Sequence, residues 1–187
     1  MNPIRTISDL IKAGFGGYVA WGEVEAMADF KATGGVNKRT IDPVDEFVKK
    51  WDNDLIDYDK YYGWQCVDVI RQFVKEVYKI NPYKAIPSTG WARNIFLNFK
   101  TNQYFRKILN TSYGIPSKGD LIFFDKYRFL YGKEGHTDIV QTADLYSVLS
   151  FSQNYPTGSP CRLVKHGTNR IYHGYRGCLG WLHYVYD

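Results

Sequence analysis

Long apolar stretches are missing from this sequence. No segment is long and apolar enough to span a bilayer, and residues 1–17 are interrupted by Asp9 and lack the apolar core of a secretory signal. Internal repeats and low-complexity tracts are also missing. We therefore expect no transmembrane segment, no repeat architecture and no export by a signal of its own.

Cysteine is scarce as well. The chain has three cysteines, Cys66, Cys161 and Cys178, and none belongs to a Cys-x-x-Cys pair of the kind that serves zinc or redox chemistry. Because the number is odd, at least one thiol is free. A bridge between Cys161 and Cys178 across the C-terminal strands is an alternative, but buried free thiols are the commoner arrangement.

Basic residues outnumber acidic ones, which gives a net charge of +5 and an isoelectric point near 9.0. This balance favours an anionic partner: nucleic acid, a membrane surface or an acidic cell-wall polymer. The basic residues do not cluster in one stripe, which argues against nucleic acid. Aromatic residues make up 17% of the chain and are scattered through polar segments, a pattern common in proteins that bind glycans or peptides.

Helical patterns precede strand patterns along the chain. Residues 1–42 resemble an accessory segment of two short helices, Ser8–Ala13 and Glu23–Ala32, separated and closed by glycines. Residues 43–187 then form the main domain. The predicted helices in it are residues 43–51, a helix that begins near Cys66 and stops at Asn81-Pro82, and one or two helices within residues 91–109. The predicted strands are residues 121–124, 135–141, 146–154, 162–165 and 179–186.

An acidic loop precedes the second of these helices. Counted from Asp57, positions 1, 3, 5, 7 and 12 are Asp57, Asp59, Tyr61, Gly63 and Asp68, the offsets at which an EF-hand loop offers oxygen atoms to Ca²⁺. A true EF-hand has Gly at position 6 and Glu at position 12, where this chain has Tyr62 and Asp68. Capping and turn chemistry is the alternative explanation.

Cys66 and His136 together favour thiol chemistry. Cys66 lies at the predicted N-terminus of a helix, where the helix dipole and a nearby imidazolium favour the thiolate. In the predicted hairpin, with a turn at residues 143–145, His136 lies opposite Ser152 with Asn154 diagonal to it. A cysteine, a histidine and a polar orienting group are what a thiol hydrolase needs.

Each of these residues also has a structural explanation. A cysteine on a buried helical face usually serves packing, and a histidine on a strand is usually structural. His166, His173 and His183 compete with His136 for the catalytic role. They lack an Asn or an acid at comparable spacing in a clear hairpin, so we rank them lower.

In this order, the motifs resemble the signature of CHAP domains, the cysteine, histidine-dependent amidohydrolases/peptidases. The matching residues are the run from Asp57 to Asp68, Pro116-Ser117-Lys118-Gly119-Asp120-Leu121, Gly135-His136 and Gln153-Asn154. The resemblance covers about residues 43–187, and the calcium spacing is that of the phage-lysin branch of the family.

This resemblance implies a fold, a reaction and a cofactor. The fold is papain-like α+β, with N-terminal helices packed on an antiparallel β-sheet. The activity is that of a peptidoglycan hydrolase, an endopeptidase or N-acetylmuramoyl-L-alanine amidase, with Cys66 as the nucleophile and His136 as general base and acid. Ca²⁺ is held by Asp57, Asp59, Asp68 and the carbonyls of Tyr61 and Gly63.

The third catalytic group departs from the family pattern. Many members carry Glu or Asp two residues before the Asn, where this chain has Ser152. We assign the orienting role to Asn154, with Asp138 in reserve because it shares a strand face with His136. The expected oxyanion hole includes the Cys66 backbone N–H and a further donor such as Gln65.

Ser152 also leaves a second class of function open, a non-catalytic wall-binding or virion structural module that keeps the CHAP scaffold. The expected partners are bacterial peptidoglycan, anionic wall polymers, and a separate wall-binding or virion subunit. As implied by the resemblance, the protein is phage-encoded and made in the host cytoplasm. It then acts on the cell wall or is carried in the virion.

Overall fold

The computed structural model describes residues 41–126, 132–167 and 174–185. The chain divides into two units, residues 1–40 and 41–187, and every described residue belongs to the second. The two helices expected before residue 33 lie outside the described residues, as does His173. A helical accessory role for residues 1–42 stays a prediction.

Helix α1 covers Pro43–Trp51, the range predicted from the sequence. Asp42 caps it, because its side chain accepts a hydrogen bond from the N–H of Val44 at 2.8 Å. Proline is tolerated at the first helical position, because the backbone N–H that it lacks would have no hydrogen-bond partner within the helix. The helix buries Val44 and Phe47 against the rest of the domain.

Helix α2 covers Cys66–Glu76. The Asp68 carboxylate accepts the N–H of Gln65 at 2.8 Å, which satisfies one of the donors left over at a helix start. Four apolar side chains of α2 are fully buried: Val69, Ile70, Phe73 and Val74. A helix buried to this degree fixes the position of its first residue, Cys66.

Two shorter helices follow, α3 (Pro82–Ala85) and α4 (Ala92–Asn98). The prediction of one or two helices within residues 91–109 is confirmed by α4, but the strand at Phe105–Leu109, β1, was not predicted. Its neighbour in the sheet is the last strand of the chain, so Phe105 pairs with Tyr184. A pairing between such distant segments leaves no local signal in the sequence.

Within the described ranges, six strands form one antiparallel sheet in the order β1-β6-β2-β3-β4-β5. After β1 the strands are β2 (Leu121–Phe124), β3 (His136–Ala143), β4 (Ser147–Ser152), β5 (Arg162–Gly167) and β6 (Cys178–Tyr184). The prediction of an α+β fold with helices packed on an antiparallel sheet is confirmed.

The predicted hairpin exists with a different register. Its turn lies at residues 144–146, one position later than expected, and Ile139 pairs with Phe151 instead of Leu149. The pairing shifts between Val140 and Thr142, which is the mark of a β-bulge. A bulge of one residue cannot be seen in the alternation of the sequence, and it changes which side chains meet.

Each face of the sheet has its own apolar cluster. On one face, strand residues such as Leu121, Phe123 and Ile139 pack against the four helices. On the other, a smaller cluster contains Ile122, Phe124, Val140, Val148, Tyr175 and Trp181. No helix within the described ranges has the length and apolar character needed to cross a membrane.

Candidate active site

The thiol of Cys66 is placed by a helix start. Cys66 is the first residue of α2 and is half-buried, while the two other cysteines lie elsewhere as free thiols. The N-terminal end of a helix carries a partial positive charge, which favours an anionic sulfur. The thiol lies close enough to the imidazole of His136 to contribute to the rise in the pKa of that ring. The structure therefore brings together the cysteine and the histidine singled out in the sequence.

His136 is the first residue of β3 and only 4% of its surface is exposed. Its Nε2 lies 2.9 Å from Ser152 Oγ and 2.8 Å from Asp138 Oδ1. The geometry of a hydrogen bond is satisfied toward Ser152, whereas Asp138 Oδ1 has no aligned hydrogen bond. Asp138 therefore acts on the ring chiefly through its charge.

The charges of this pair determine its protonation. Burial alone lowers the pKa of His136, but attraction to Asp138 and then to Cys66 outweighs burial and raises the pKa to about 10. Burial also raises the pKa of Asp138, yet the contacts with His136 and His166 hold that pKa well below its ordinary value. At neutral pH the site thus contains a charged imidazolium beside a carboxylate.

Asn154, to which the sequence assigned the orienting role, has its side chain engaged elsewhere. Its Nδ2 donates to Gln65 Oε1 at 3.3 Å, and its Oδ1 accepts the N–H of Gly158 at 2.6 Å. Asp138, the reserve candidate, is the group beside the imidazole. This correction follows because β4 ends at Ser152 and Asn154 lies beyond it with a φ of 62°, so the Asn154 side chain does not continue the alternation of the strand.

Gln153 has a positioning role that its sequence motif did not reveal. It is fully buried, and its amide binds the backbone of Ile56 in both directions: Oε1 accepts from N at 2.6 Å and Nε2 donates to O at 2.8 Å. Nε2 also donates to the carbonyl of Gln65 at 3.0 Å. Gln153 therefore ties the end of β4 to the acidic loop and to the residue that precedes Cys66.

The other candidate histidines have different surroundings. His166 on β5 is buried, and its Nε2 lies 2.9 Å from Asp138 Oδ2, so it shares a carboxylate with His136. His183 lies 2.8 Å from Asp120, which directly precedes β2. His136 pairs with Phe124 at the other end of β2, so His183 lies away from the candidate active site. We ranked His166 below His136 because the sequence shows no acid near it. In the folded chain Asp138 on β3 is that acid.

The acidic loop gathers three carboxylates. Oxygen atoms of Asp57, Asp59 and Asp68 all lie within 4.8 Å of one another. Burial raises the pKa of Asp68 to about 6, and the nearby charges of Asp59 and Asp57 contribute to that rise. Arg71 lies 2.8 Å from Asp59 Oδ2 and offsets one of the three negative charges.

These residues fit a hard divalent cation. Asp57 Oδ1 is buried without a hydrogen-bond partner, which is costly unless a cation or another donor completes its surroundings. Three carboxylates and one guanidinium leave a charge of about −2 in the cluster. The backbone of Tyr62 and Gly63 has φ values of 63° and 68°, so the loop turns sharply where carbonyl ligands are expected.

No family model matches this sequence, and no curated protein matches it. Among solved structures, the crystal structure of a wild-type endolysin, LysIME-EF1, matches with a TM-score of 0.56 and 20% sequence identity. The match covers 77% of this chain and 63% of the endolysin chain, so the protein spans less than two thirds of that structure. The α+β fold of this chain is therefore similar to that of an endolysin.

Proposed function

We propose that this protein is a peptidoglycan hydrolase of the CHAP type, which cleaves an amide bond of bacterial cell-wall peptide through Cys66 and His136. The observation that carries the proposal is the contact of a helix-start thiol with an imidazole charged by a buried carboxylate. The bond is in the stem peptide or cross-bridge, or between muramic acid and L-alanine.

The first half of the reaction forms an acyl-enzyme. The Cys66 thiolate attacks the carbonyl carbon, a C–S bond forms, and the carbonyl electrons move onto oxygen. The Cys66 backbone N–H at the start of α2 can donate to this oxyanion, with the Gln65 amide as the second candidate donor. When the C–N bond breaks, His136 gives its proton to the leaving amine.

The second half returns the enzyme to its starting state. Neutral His136 takes a proton from a water molecule, which attacks the thioester carbon. The C–S bond breaks, the carboxylic acid leaves, and the thiolate again faces a charged imidazole. Asp138 favours the charged ring in both halves through its charge, and the hydrogen bond between Nε2 and Ser152 keeps the ring in its orientation.

Three features support peptidoglycan as the substrate. The fold is similar to that of a protein named as an endolysin. Aromatic side chains just before Cys66 are exposed, Tyr61 by 66% and Tyr62 by 86%, and such rings can stack on sugars or peptide groups. The net charge of +5 suits walls rich in anionic polymers.

We propose Ca²⁺ as the cofactor, held by Asp57, Asp59 and Asp68 with the carbonyls of Tyr61 and Gly63. When bound, the ion supplies charge that braces the loop leading into Cys66. Gln153 holds the two ends of the same loop independently of the ion, through hydrogen bonds to the Ile56 backbone and to the Gln65 carbonyl.

The test of the proposed function is Cys66→Ala. We expect release of muropeptides from purified walls, followed by mass spectrometry, to fall to the background rate. Cys178→Ala is the matched control, because Cys178 lies on β6, and it should release the same fragments as the unmodified protein. Wall clearing that survives Cys66→Ala would rule out hydrolysis by this thiol.

The alternative was a non-catalytic wall-binding or virion module, and it rested on Ser152 at the usual acid position. The carboxylate of Asp138 beside His136 supports the hydrolase over this alternative. We propose action on the bacterial wall by a phage-encoded protein. A separate wall-binding or virion subunit remains part of the proposal as its partner.

A further inference from the structure

A second buried histidine lies beside the candidate active site, and the reaction steps proposed above assign it no role. His166 is on β5 and 8% of its surface is exposed. Its Nε2 lies 2.9 Å from Asp138 Oδ2 and 3.1 Å from Ser150 Oγ. Three strands therefore contribute to one polar cluster: β3 with Asp138, β4 with Ser150 and β5 with His166.

The two oxygens of the Asp138 carboxylate have separate partners. Oδ1 faces the Nε2 of His136 at 2.8 Å. Oδ2 accepts from the hydroxyl of Ser150 at 2.8 Å and meets the Nε2 of His166 at 2.9 Å. Because the carboxylate is planar, holding Oδ2 in place also fixes the direction in which Oδ1 points.

The surroundings leave Asp138 dependent on these contacts. The Asp138 side chain is fully buried, and an ionised carboxylate in such a place is costly without donors. Aromatic rings pack against His166, with centroid distances of 4.7 Å to Phe124 and 5.8 Å to Tyr155. Among the described residues, the titratable groups in contact with His166 include Asp138 from β3 and Tyr155 from the turn after β4.

We propose that His166 is a positioning residue for the reaction: it holds Asp138 through Oδ2 so that Oδ1 faces His136. This inference rests on the proposed hydrolase function. It adds a fourth side chain to the chain of contacts that begins at Cys66. It also explains why a histidine lies among hydrophobic rings on a strand that contributes no group to the reacting atoms.

The test compares two substitutions at the same position. His166→Gln keeps an N–H donor close to the place of Nε2, whereas His166→Phe keeps the ring shape and removes the donor. We expect His166→Phe to lower kcat about 10- to 100-fold with KM changed by less than about twofold, because only the alignment of the catalytic ring is lost. His166→Gln should stay within about threefold of the unmodified kcat.

His183→Phe is the matched control. His183 makes the same kind of contact, Nδ1 to Asp120 Oδ1 at 2.8 Å, near the opposite end of β2. We expect its loss to lower the thermal unfolding midpoint without changing kcat. If His166→Phe does not fold, His166→Asn replaces it, since the shorter side chain leaves its amide out of reach of Asp138 and should cause the same loss of kcat.

A double-mutant cycle tests whether His166 acts through Asp138. In an Asp138→Asn background, His166→Phe should change kcat by less than about threefold, because the group that it positions is already gone. Full additivity of the two losses would contradict the inference, and so would equal kcat values for His166→Phe and His166→Gln in an active enzyme. An unmodified protein that releases no muropeptides would instead overturn the proposed function, and this inference with it.

Discussion

A neighbour on the same strand supplies the charge beside His136, the proposed catalytic imidazole. Asp138 lies two residues after His136 on β3, so both side chains point to the same face. Ser152, at the position of the usual family acid, donates or accepts a hydrogen bond but brings no charge. The negative charge that the imidazolium requires therefore comes from β3 instead of β4.

This arrangement predicts unequal effects of two substitutions. Asp138→Asn should lower kcat by about 10²- to 10⁴-fold, because it removes the charge that favours the protonated ring. Asn154→Ala should cause a loss at least about tenfold smaller, since its amide contacts Gln65. Steady-state rates on a soluble muropeptide substrate measure both, and the reverse ranking would restore Asn154 as the orienting group.

The ion pair also predicts a pH dependence of stability. The pKa of His136 is raised above its ordinary value of 6.5 to about 10, so its contribution is complete below about pH 6.5 and disappears as the pH rises through 10. The pKa of Asp138 is lowered below its ordinary value of 3.8, so its contribution is complete above pH 3.8 and is lost as the pH falls further.

We therefore expect the free energy of unfolding to differ most between the unmodified protein and Asp138→Asn at about pH 4–6.5. The expected difference there is about 3–5 kcal/mol, the usual cost of breaking a buried pair, and it should shrink steadily up to pH 10. Urea unfolding at a series of pH values measures it. A difference that stays constant from pH 5 to pH 10 would show that the pair is not charged in the folded protein.

At the scale of secondary-structure elements, the loop between α1 and α2 connects the acidic cluster to Cys66, the proposed nucleophile. Gln153, which follows β4, anchors this loop at Ile56. Arg71 on α2 contacts Asp59, and Asp68 belongs to the first turn of the helix that begins with Cys66. A cation bound by the three carboxylates would therefore restrain the position of the Cys66 thiol, because Asp68 and Cys66 lie in the same helical turn.

This connection predicts that Ca²⁺ stabilises the protein and that Asp57→Asn abolishes the effect. With Ca²⁺ at about 100 times its dissociation constant, we expect a gain of about 2.7 kcal/mol and a rise in the thermal midpoint of about 5–10 °C over the chelated protein. Calorimetry in Ca²⁺ and in EDTA measures the rise, and muropeptide release should fall with EDTA and recover with Ca²⁺.

Asp54→Asn is the control for this experiment, because Asp54 is an exposed acid of the same segment outside the cluster. It should respond to Ca²⁺ as the unmodified protein does. Equal thermal midpoints for the unmodified protein in Ca²⁺ and in EDTA would rule out the calcium site.

At the scale of the whole molecule, an aromatic cluster joins the helices to the sheet. The ring of Phe47 on α1 meets Phe73 on α2 edge-on at 5.2 Å and Phe151 on β4 at 6.1 Å. All three are almost completely buried, so this cluster holds α2, and with it Cys66, at a fixed place on the sheet.

Phe47→Ala should consequently destabilise the whole domain. We expect a loss of about 3–5 kcal/mol in the free energy of unfolding, which combines lost apolar burial with a cavity. Leu109→Ala on the edge strand β1 is the control, since that side chain is 64% exposed and its loss should change stability by less than about 0.5 kcal/mol. Similar losses for the two variants would contradict this account of the core.

The sequence by itself determined the features that depend on near neighbours. Helix α1 follows from Asp42, Pro43 and an apolar repeat of about four residues, and the start of α2 at Cys66 follows from the same kind of pattern. The spacing of Asp57, Asp59 and Asp68 is likewise local, because a single loop carries the first two and the adjoining helical turn carries the third. The order of helices and strands was enough for the α+β class.

Tertiary structure decided everything that depends on pairing between distant segments. Strand β1 exists because β6 lies beside it. The Asn154 side chain contacts Gln65 because β4 ends at Ser152, and this leaves Asp138 as the charged group beside His136. His166 meets Asp138 because β5 packs beside β4, which brings residues 28 positions apart to 2.9 Å. Periodicity records which side of a strand a residue faces, but the partner across the sheet is chosen by the packing of the whole domain.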